Sequence, residues 1–492
     1  MRAAPSRRRS LALAAWLGLA VAGGGPCAWG AASDIGEWSP VYPWPQVAVH
    51  LHVLPDRKLL TYSDEWVQGQ KVTPSTSRAY VVQIPDGGPP STTWTYVPND
   101  NADLFCAGHT FLPDGRLLVI GGQDGAYYKG IAASTIFNYQ GGYSWETPAN
   151  GRMARPRWYP SAITLASGDI LALGGSMTSK TDPNTLPEVW QTATGGWRPL
   201  LTGLRALPFY PWIFQAPNGQ VFLAGHKAET RYLDTTGTGK WNKLYVRKYA
   251  SRFEGSAVMY DEGKILVAGG GSPATNTAEI INLRAAAPSW QLTGSMASAR
   301  RYMNATVLPD GKVLVTGGGA GANNADQAVL TAELWDPATG RWSTMASMQK
   351  PRLYHGTAVL LPDGRVLSTG SGRPPPTHGV NSTDAEIFSP PYLFAGPRPE
   401  LTSAPEAVAY GEKFFVGTPN ADVTTASWIK LSSVTHDFNS GQRFSRLKLA
   451  PAAGGLTVTA PSDPRLSPPG HYMLFLLNAQ GVPSISRIVR IG

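Results

Sequence analysis

One phrase occurs seven times in this chain: an apolar residue, a tight turn, and a short apolar strand that usually ends in glycines. The copies begin at Leu54 (LPDRKLLTY), Leu112 (LPDGRLLVIGG), Leu165 (LASGDILALGG), Ala216 (APNGQVFLAGH), Tyr260 (YDEGKILVAGGG), Leu308 (LPDGKVLVTGGG) and Leu361 (LPDGRVLSTGSG), 44 to 58 residues apart. Asp-Gly and Asn-Gly between apolar runs are strong hairpin signals, because glycine accepts positive φ in the turn. Each copy therefore predicts two adjacent antiparallel strands, and the spacing suits a four-stranded propeller blade.

A tryptophan precedes each phrase at a similar interval: Trp38, Trp94, Trp145, Trp197, Trp241, Trp290 and Trp342. None follows the seventh phrase, so these residues belong to outer strands that end the preceding blade, and Trp38 must serve the last blade and close the ring. Radial repetition then leaves no long sheet edge exposed. The repeat stops after SPPYLFAGPRPE (Ser389 to Glu400). Beyond it, alternating segments such as Lys413 to Val416, Trp428 to Leu431 and Tyr472 to Leu477 are separated by Pro/Gly turns. The predicted class is all-β: a seven-bladed kelch-type β-propeller over residues 33–395, then a C-terminal immunoglobulin-like β-sandwich over residues 396–492. The 54 glycines, 42 prolines and only 15% charged residues fit a turn-rich chain of this kind.

Residues 1–32 have the form of a secretory leader: four arginines and no acid in Met1 to Arg9, an apolar run from Leu11 to Ala22, and small residues at Gly30 to Ala32. Ser6-Arg7-Arg8 also allows twin-arginine export. The run is short of the roughly 20 residues that a membrane span prefers, so cleavage is favoured over an N-terminal membrane anchor. Either way the chain is expected outside the cytoplasm, secreted or anchored. Cys27 belongs to the leader, which makes Cys106 the only cysteine of the mature chain. The formal net charge of +9 includes the leader arginines, and the other Lys and Arg are scattered. No basic helix or aromatic-basic motif points to nucleic acid. A basic exterior is compatible with an anionic cell surface or acidic polysaccharide, though a solvated surface without a partner is the simpler account.

Stepping back six residues from each phrase yields Ala48, Cys106, Tyr159, Tyr210, Glu254, Tyr302 and His355. Equivalent positions on innermost strands lie around one level of a propeller's channel. All but Ala48 can ligate a metal or take part in proton or electron transfer. Singly, each has a bland reading: tyrosine packs well in sheets, a lone histidine is usually hydrogen-bonded structure, and a lone cysteine is a small hydrophobe. As a ring they are harder to dismiss. Imidazole suits copper, and a phenolate is a hard anionic donor. Tyr354, one position before His355, sits at the strand entrance. No CxxC or HExxH pattern supports zinc, and the glycine runs at 269–271 and 317–319 open no helix, so they read as blade turns. His109 and His226 lie near blade turns with even odds of facing solvent.

The segments FCAGHTFLPDGRLLVIGG around Cys106, RPRWYPSAITL around Tyr159, RLYHGTAVLLPDGRVLSTGSG around Tyr354 and His355, SPPYLFAGPRP, THDFNSGQR around His436, and PPGHYMLFLLNAQGVPS together resemble the copper radical oxidases. That family includes galactose oxidase and glyoxal oxidase, and the likeness is closer to the glyoxal oxidase branch. The resemblance implies one copper ion held by Tyr159, Tyr354, His355 and His436. It also implies a thioether between Cys106 and the ring of Tyr159 as a self-derived radical cofactor, with Tyr354 as axial base. Trp158, Tyr210, Glu254 and Tyr302 are assigned to the substrate pocket. The implied reaction oxidises small aldehydes, as hydrates, or primary alcohols with O2 and releases H2O2. His436 belongs to the C-terminal domain, so a loop of the sandwich would have to enter the propeller channel.

Two departures stand out. The tryptophan that shields the radical in galactose oxidase, expected after the glycines of the third phrase, is replaced by Met177, although Trp158 neighbours Tyr159. Trp38 follows the leader almost at once, where galactose oxidase carries an additional sugar-binding domain. The competing readings are a galactose-oxidase-like enzyme acting on sugar primary hydroxyls and a non-catalytic propeller binding glycan or protein. Cys106, both tyrosines and both histidines argue against the second.

Overall fold

The computed structural model describes residues 30–64, 66–67, 70–71 and 77–492; the N-terminal apolar run and Cys27 lie outside the described residues. Among the described residues no helix is long and apolar enough to cross a membrane. The chain forms a seven-bladed β-propeller followed by a β-sandwich. Five blades are antiparallel meanders of four consecutive strands, the second being Gly108–Phe111, Leu117–Ile120, Ser134–Asn138 and Ser144–Glu146. The repeated phrase is the turn between a blade's first two strands. In the second blade the Leu112 amide donates to the Arg116 carbonyl at 2.8 Å, with Gly115 at φ +90°. The seventh blade takes its outer strand from the start of the chain: Glu37–Trp38 pairs with Asp384–Ser389, Trp38 opposite Phe388. Trp38 therefore closes the ring.

Four blades share a buried clasp. Arg157–Glu188, Arg252–Glu279, Arg300–Glu333 and Arg352–Glu386 pair at 2.9, 3.0, 2.6 and 3.4 Å. Each arginine also donates to a glycine carbonyl on its blade's second strand or just past its end, and each glutamate receives a main-chain amide of the loop entering the blade. A buried ion pair is costly unless its remaining hydrogen-bonding groups are met. Here most of them are, which ties each entering loop to its own blade.

The sandwich packs two sheets around Trp428, Tyr472, Leu474 and Val489. Strand Phe444–Ala452 bridges them, pairing with Val423–Lys430 along its first half and with Gly455–Thr459 along its second. The connection between Val423–Lys430 and Phe444–Ala452 leaves the sandwich as a hairpin, Ser433–Thr435 with Phe438–Asn439. Its tip residues His436 and Asp437 both have positive φ, +46° and +67°, as a two-residue I′ turn demands. Ser433–Thr435 pairs with His50–His52 on the inner edge of the first blade. The expected loop is thus a finger built into the propeller's own sheet.

Candidate active site

The register around the channel has an unusual backbone. Cys106, Tyr159, Tyr210, Glu254, Tyr302 and His355 all lie at φ between +45° and +65°. Left-handed backbone costs a residue with a Cβ roughly 1–2 kcal/mol, and such strain persists where the surroundings over-determine it. Main-chain bonds between neighbouring blades supply part of that constraint. The amides of Tyr159, Tyr210 and Tyr302 donate to the carbonyls of Cys106, Tyr159 and Glu254 at 2.9, 3.0 and 2.8 Å. Ala48, the one member without chemistry, is buried and has no positive φ.

Tyr159, Tyr354, His355 and His436 meet at the end of this ring. The hydroxyls of Tyr159 and Tyr354 are in hydrogen-bond contact, and His436 Nε2 lies 2.9 Å from the Tyr159 hydroxyl. The imidazoles of His355 and His436 cross at 88° with centroids 4.3 Å apart. Cys106 Sγ is 3.9 Å from His436 Nε2, and one ligand atom each from Cys106, His355 and His436 falls within 4.8 Å of the others.

Hydrogen bonds fix the tautomer of both histidines. His355 Nδ1–H donates to the Gly372 carbonyl at 2.6 Å. The Thr435 hydroxyl donates to the Val49 carbonyl, so its oxygen can only accept from His436 Nδ1–H, 2.6 Å away. Both Nε2 atoms therefore carry lone pairs: that of His436 meets the Tyr159 hydroxyl, and that of His355 is buried with no hydrogen-bond partner among the described residues. Burial pushes His355 down to about 3 and holds His436 well below the usual imidazole range, helped there by His355, so both stay neutral. Burial, followed by the neighbouring Cys106, drives both tyrosines well above the usual phenol range. Two neutral imidazole nitrogens and two phenol oxygens converging in a buried place fit a dication of copper type, whose charge would favour the phenolates.

A second histidine group lies behind the first. The Cys106 amide donates to His50 Nε2 at 3.2 Å, so His50 Nδ1–H points to His109 Nε2 at 3.1 Å. His109 Nδ1–H then donates to Ser433 Oγ at 2.6 Å, and the Ser433 hydroxyl donates to His52 Nδ1 at 3.1 Å. The chain links the cysteine to the finger. His109 and His226, given even odds of facing solvent, are both buried; His226 bonds the Tyr210 carbonyl at 3.0 Å and stacks on Trp212.

A cavity of about 350 Å³ opens over Tyr159, Tyr354 and His436 and is walled by Trp158, Phe209 and Phe253. Tyr210, Glu254 and Tyr302 also line it, so all four residues assigned to the pocket reach one space. Trp158 covers the Tyr159 ring with centroids 3.7 Å apart. Tyr210 stacks on His436 and donates its hydroxyl to the Ala107 carbonyl. Glu254 pairs with Arg301, and Asp437 is buried beside them. A larger cleft of about 780 Å³ lies at the domain join, far from the tyrosines, where Arg57 and Asp86 pair with each other.

Two families match this chain: "Glyoxal oxidase N-terminus" over residues 262–392 and "Galactose oxidase-like, Early set domain" over residues 398–491. Aldehyde oxidase GLOX of Vitis pseudoreticulata is 30% identical over 450 residues, which are 79% of this chain and 82% of that protein. The chain belongs to the glyoxal oxidase and galactose oxidase family. Galactose oxidase of Gibberella zeae is also 30% identical, over 425 residues, and there this family member matches 79% of its own length but spans only 61% of the relative. A solved fungal alcohol oxidase of the AA5 family, in complex with copper, shares the family fold with a TM-score of 0.81 at 28% identity, covering 93% of this chain and 100% of that one.

Proposed function

We propose that the protein is a mononuclear copper radical oxidase that converts small aldehydes, as hydrates, or primary alcohols with O2 and releases H2O2. The observation that carries this reading is the pair of Nε2 lone pairs set by the Gly372 and Thr435 bonds, that of His436 2.9 Å from the Tyr159 hydroxyl and that of His355 unmet among the described residues, with the Tyr354 hydroxyl in contact with that of Tyr159. His355, His436, Tyr159 and Tyr354 would hold the ion. When bound, copper supplies a Lewis acid that lowers the pKa of the substrate hydroxyl and serves as one of two one-electron acceptors. Tyr354 Oη takes the hydroxyl proton. Cys106 and Tyr159, hydrogen-bonded main chain to main chain at 2.9 Å, are read as joined through Sγ and the phenol ring, a bond that forms as the thiol and ring C–H bonds break and two protons and two electrons pass to dioxygen, which leaves as hydrogen peroxide. The oxidised pair then takes a hydrogen atom from the adjacent carbon. Trp158 shields the Tyr159 ring from water, and the apolar cavity wall positions the substrate.

The electron count closes: RCH2OH with O2 gives RCHO and H2O2, and RCH(OH)2 with O2 gives RCOOH and H2O2. The same reading takes residues 33–395 as the catalytic propeller, 396–492 as the sandwich that lends His436, and 1–32 as the segment that exports the enzyme, cleaved or retained as anchor. The test is peroxide release by copper-loaded protein over glyoxal, methylglyoxal, glycolaldehyde, benzyl alcohol and galactose, with intact-mass measurement of the cross-link. One copper per chain, a mass lower by two hydrogens and peroxide from the aldehydes are expected. Protein that holds copper yet makes no peroxide from any substrate would sink the reading, and turnover of galactose alone would shift it to the sugar-oxidising branch.

A further inference from the structure

Asp437 stands next to His436 at the finger tip, only 4% exposed, and lines the cavity over the tyrosines. Its Oδ1 has no hydrogen-bond partner among the described residues. Aspartate tolerates left-handed backbone better than most residues, which could explain its place at a turn, but its side chain there commonly bonds nearby main chain. Oδ1 makes no such bond. The main chain is pinned instead by Ser256, whose hydroxyl donates to the Asp437 carbonyl at 2.6 Å. The other carboxylate of the cavity, Glu254, already has Arg301, and Lys180 lies exposed at the rim. A buried acceptor without a donor is costly, so the group that completes it is one that enters the cavity.

We infer that Asp437 is a specificity-determining residue that accepts a hydrogen bond from a second hydroxyl of the substrate. That hydroxyl sits on the reacting carbon, as in a hydrated aldehyde, or on the next carbon, as in a 1,2-diol. The inference rests on the oxidase reading and names the substrate class within it. Among the unpartnered acceptors of this lining, which also include Asn323 Oδ1 and His226 Nδ1, Asp437 Oδ1 is the one on the residue next to His436, and with the apolar walls it selects small molecules that carry two neighbouring hydroxyls.

The test uses three substrates of similar size: acetaldehyde hydrate, propane-1,2-diol and propan-1-ol. For wild type and Asp437→Ala, kcat/KM of each two-hydroxyl substrate is divided by that of propan-1-ol. At least one ratio should fall roughly 10- to 100-fold, mainly through KM, and which one falls tells the geminal from the vicinal hydroxyl. Asp437→Asn, which keeps one carbonyl oxygen as acceptor and turns the other oxygen into an amide donor, should fall in between. A second readout is free of turnover: anaerobic titration of the copper(II) protein reduced by one electron, followed by electron paramagnetic resonance, should show weaker binding of the same substrate. Ratios and binding within threefold of wild type, with copper content unchanged, overturn the inference. If the alanine variant loses its copper, the asparagine variant decides alone, and an unaltered ratio there is equally fatal. Copper-loaded wild type that makes no peroxide from these three or from the five compounds above would remove the oxidase reading itself, whereas activity on others of those compounds with none on the two-hydroxyl pair here would overturn this inference alone.

Discussion

Two groups of histidines lie side by side in this protein, with the His50 and His436 rings 6.2 Å apart, and they do opposite things. Both groups are buried and both are held neutral; His109 and His355 are each pushed down to about 3 by burial. In the rear group every lone pair is spent: His50 accepts from Cys106, His109 from His50, and His52 from Ser433. The atom there without a partner among the described residues, His52 Nε2, carries a proton and has no lone pair to give. In the front group the accounting ends the other way, with His355 Nε2 left as a bare lone pair and His436 Nε2 met by the Tyr159 hydroxyl. Burial and a depressed pKa are therefore shared by proposed ligand and scaffold. What separates them is where the acceptors end: on scaffold donors in the rear group, and unmet or on a tyrosine of the same site in the front group.

The largest effect should come from the tyrosine proposed as the base of the front group. Tyr354→Phe keeps the ring beside His355 and removes only the hydroxyl. Turnover normalised to bound copper should fall by roughly 10² to 10⁴-fold, the range for loss of a general base. Activity within a few-fold of wild type would make Tyr354 a packing residue and break the assignment of the front group as a whole. His436→Ala comes next. Copper affinity should fall by at least the roughly 10- to 100-fold seen when even a supporting contact to a ligand is lost. Competition titration against a copper chelator reads it, and an unchanged dissociation constant would move His436 to the scaffold.

Much of this was legible in the sequence, and the reason is local chemistry. Turn glycines and the spacing of tryptophans report short-range structure, so the blade count and the closure through Trp38 could be read directly. The repeat phase also brought Cys106, Tyr159 and His355 to one level. What escaped depends on partners far apart in the chain. Ser433 meets His109 across 324 positions, and the finger hairpin has no Asn-Gly or Asp-Gly to announce its turn. Its entry into the channel came from family likeness alone. The arginine clasps did leave a signal: an arginine two or three residues before Tyr159, Glu254, Tyr302 and His355, with a glutamate 27 to 34 residues after the arginine. That regularity does not announce a buried pair, because charged residues are normally surface residues.

Acid tests both groups at once. A histidine whose folded pKa is depressed adds stability that is fully present above its unfolded value near 6.5 and is lost as pH falls toward the folded value. For His109 and His355 that value is about 3, and for His226 and His471 about 4. The metal-free protein should therefore lose stability between pH 6.5 and 4, by up to about 1.4 kcal/mol per histidine per pH unit. Urea midpoints measured at pH 7, 6 and 5 check it. A flat profile would mean that these rings are protonated or exposed in the folded state.

The smallest effect on the copper site should come from breaking the rear chain, and it sharpens the comparison most. His109→Phe keeps a flat ring in the same space and removes both nitrogens, so the His50 Nδ1–H loses its acceptor and Ser433 Oγ loses its donor. Leaving buried polar groups unmatched costs roughly 1–3 kcal/mol each, less whatever the site recovers by relaxing. Copper affinity should stay within about threefold, because no atom of His109 reaches the donors and the Thr435 hydroxyl that orients His436 is held separately by the Val49 carbonyl. Thermal unfolding of the metal-free variant and chelator competition on the loaded variant measure the two quantities independently. Should copper affinity drop as far as in His436→Ala, the rear chain would be part of the metal site's own support, and spent lone pairs would no longer distinguish scaffold from ligand in this protein.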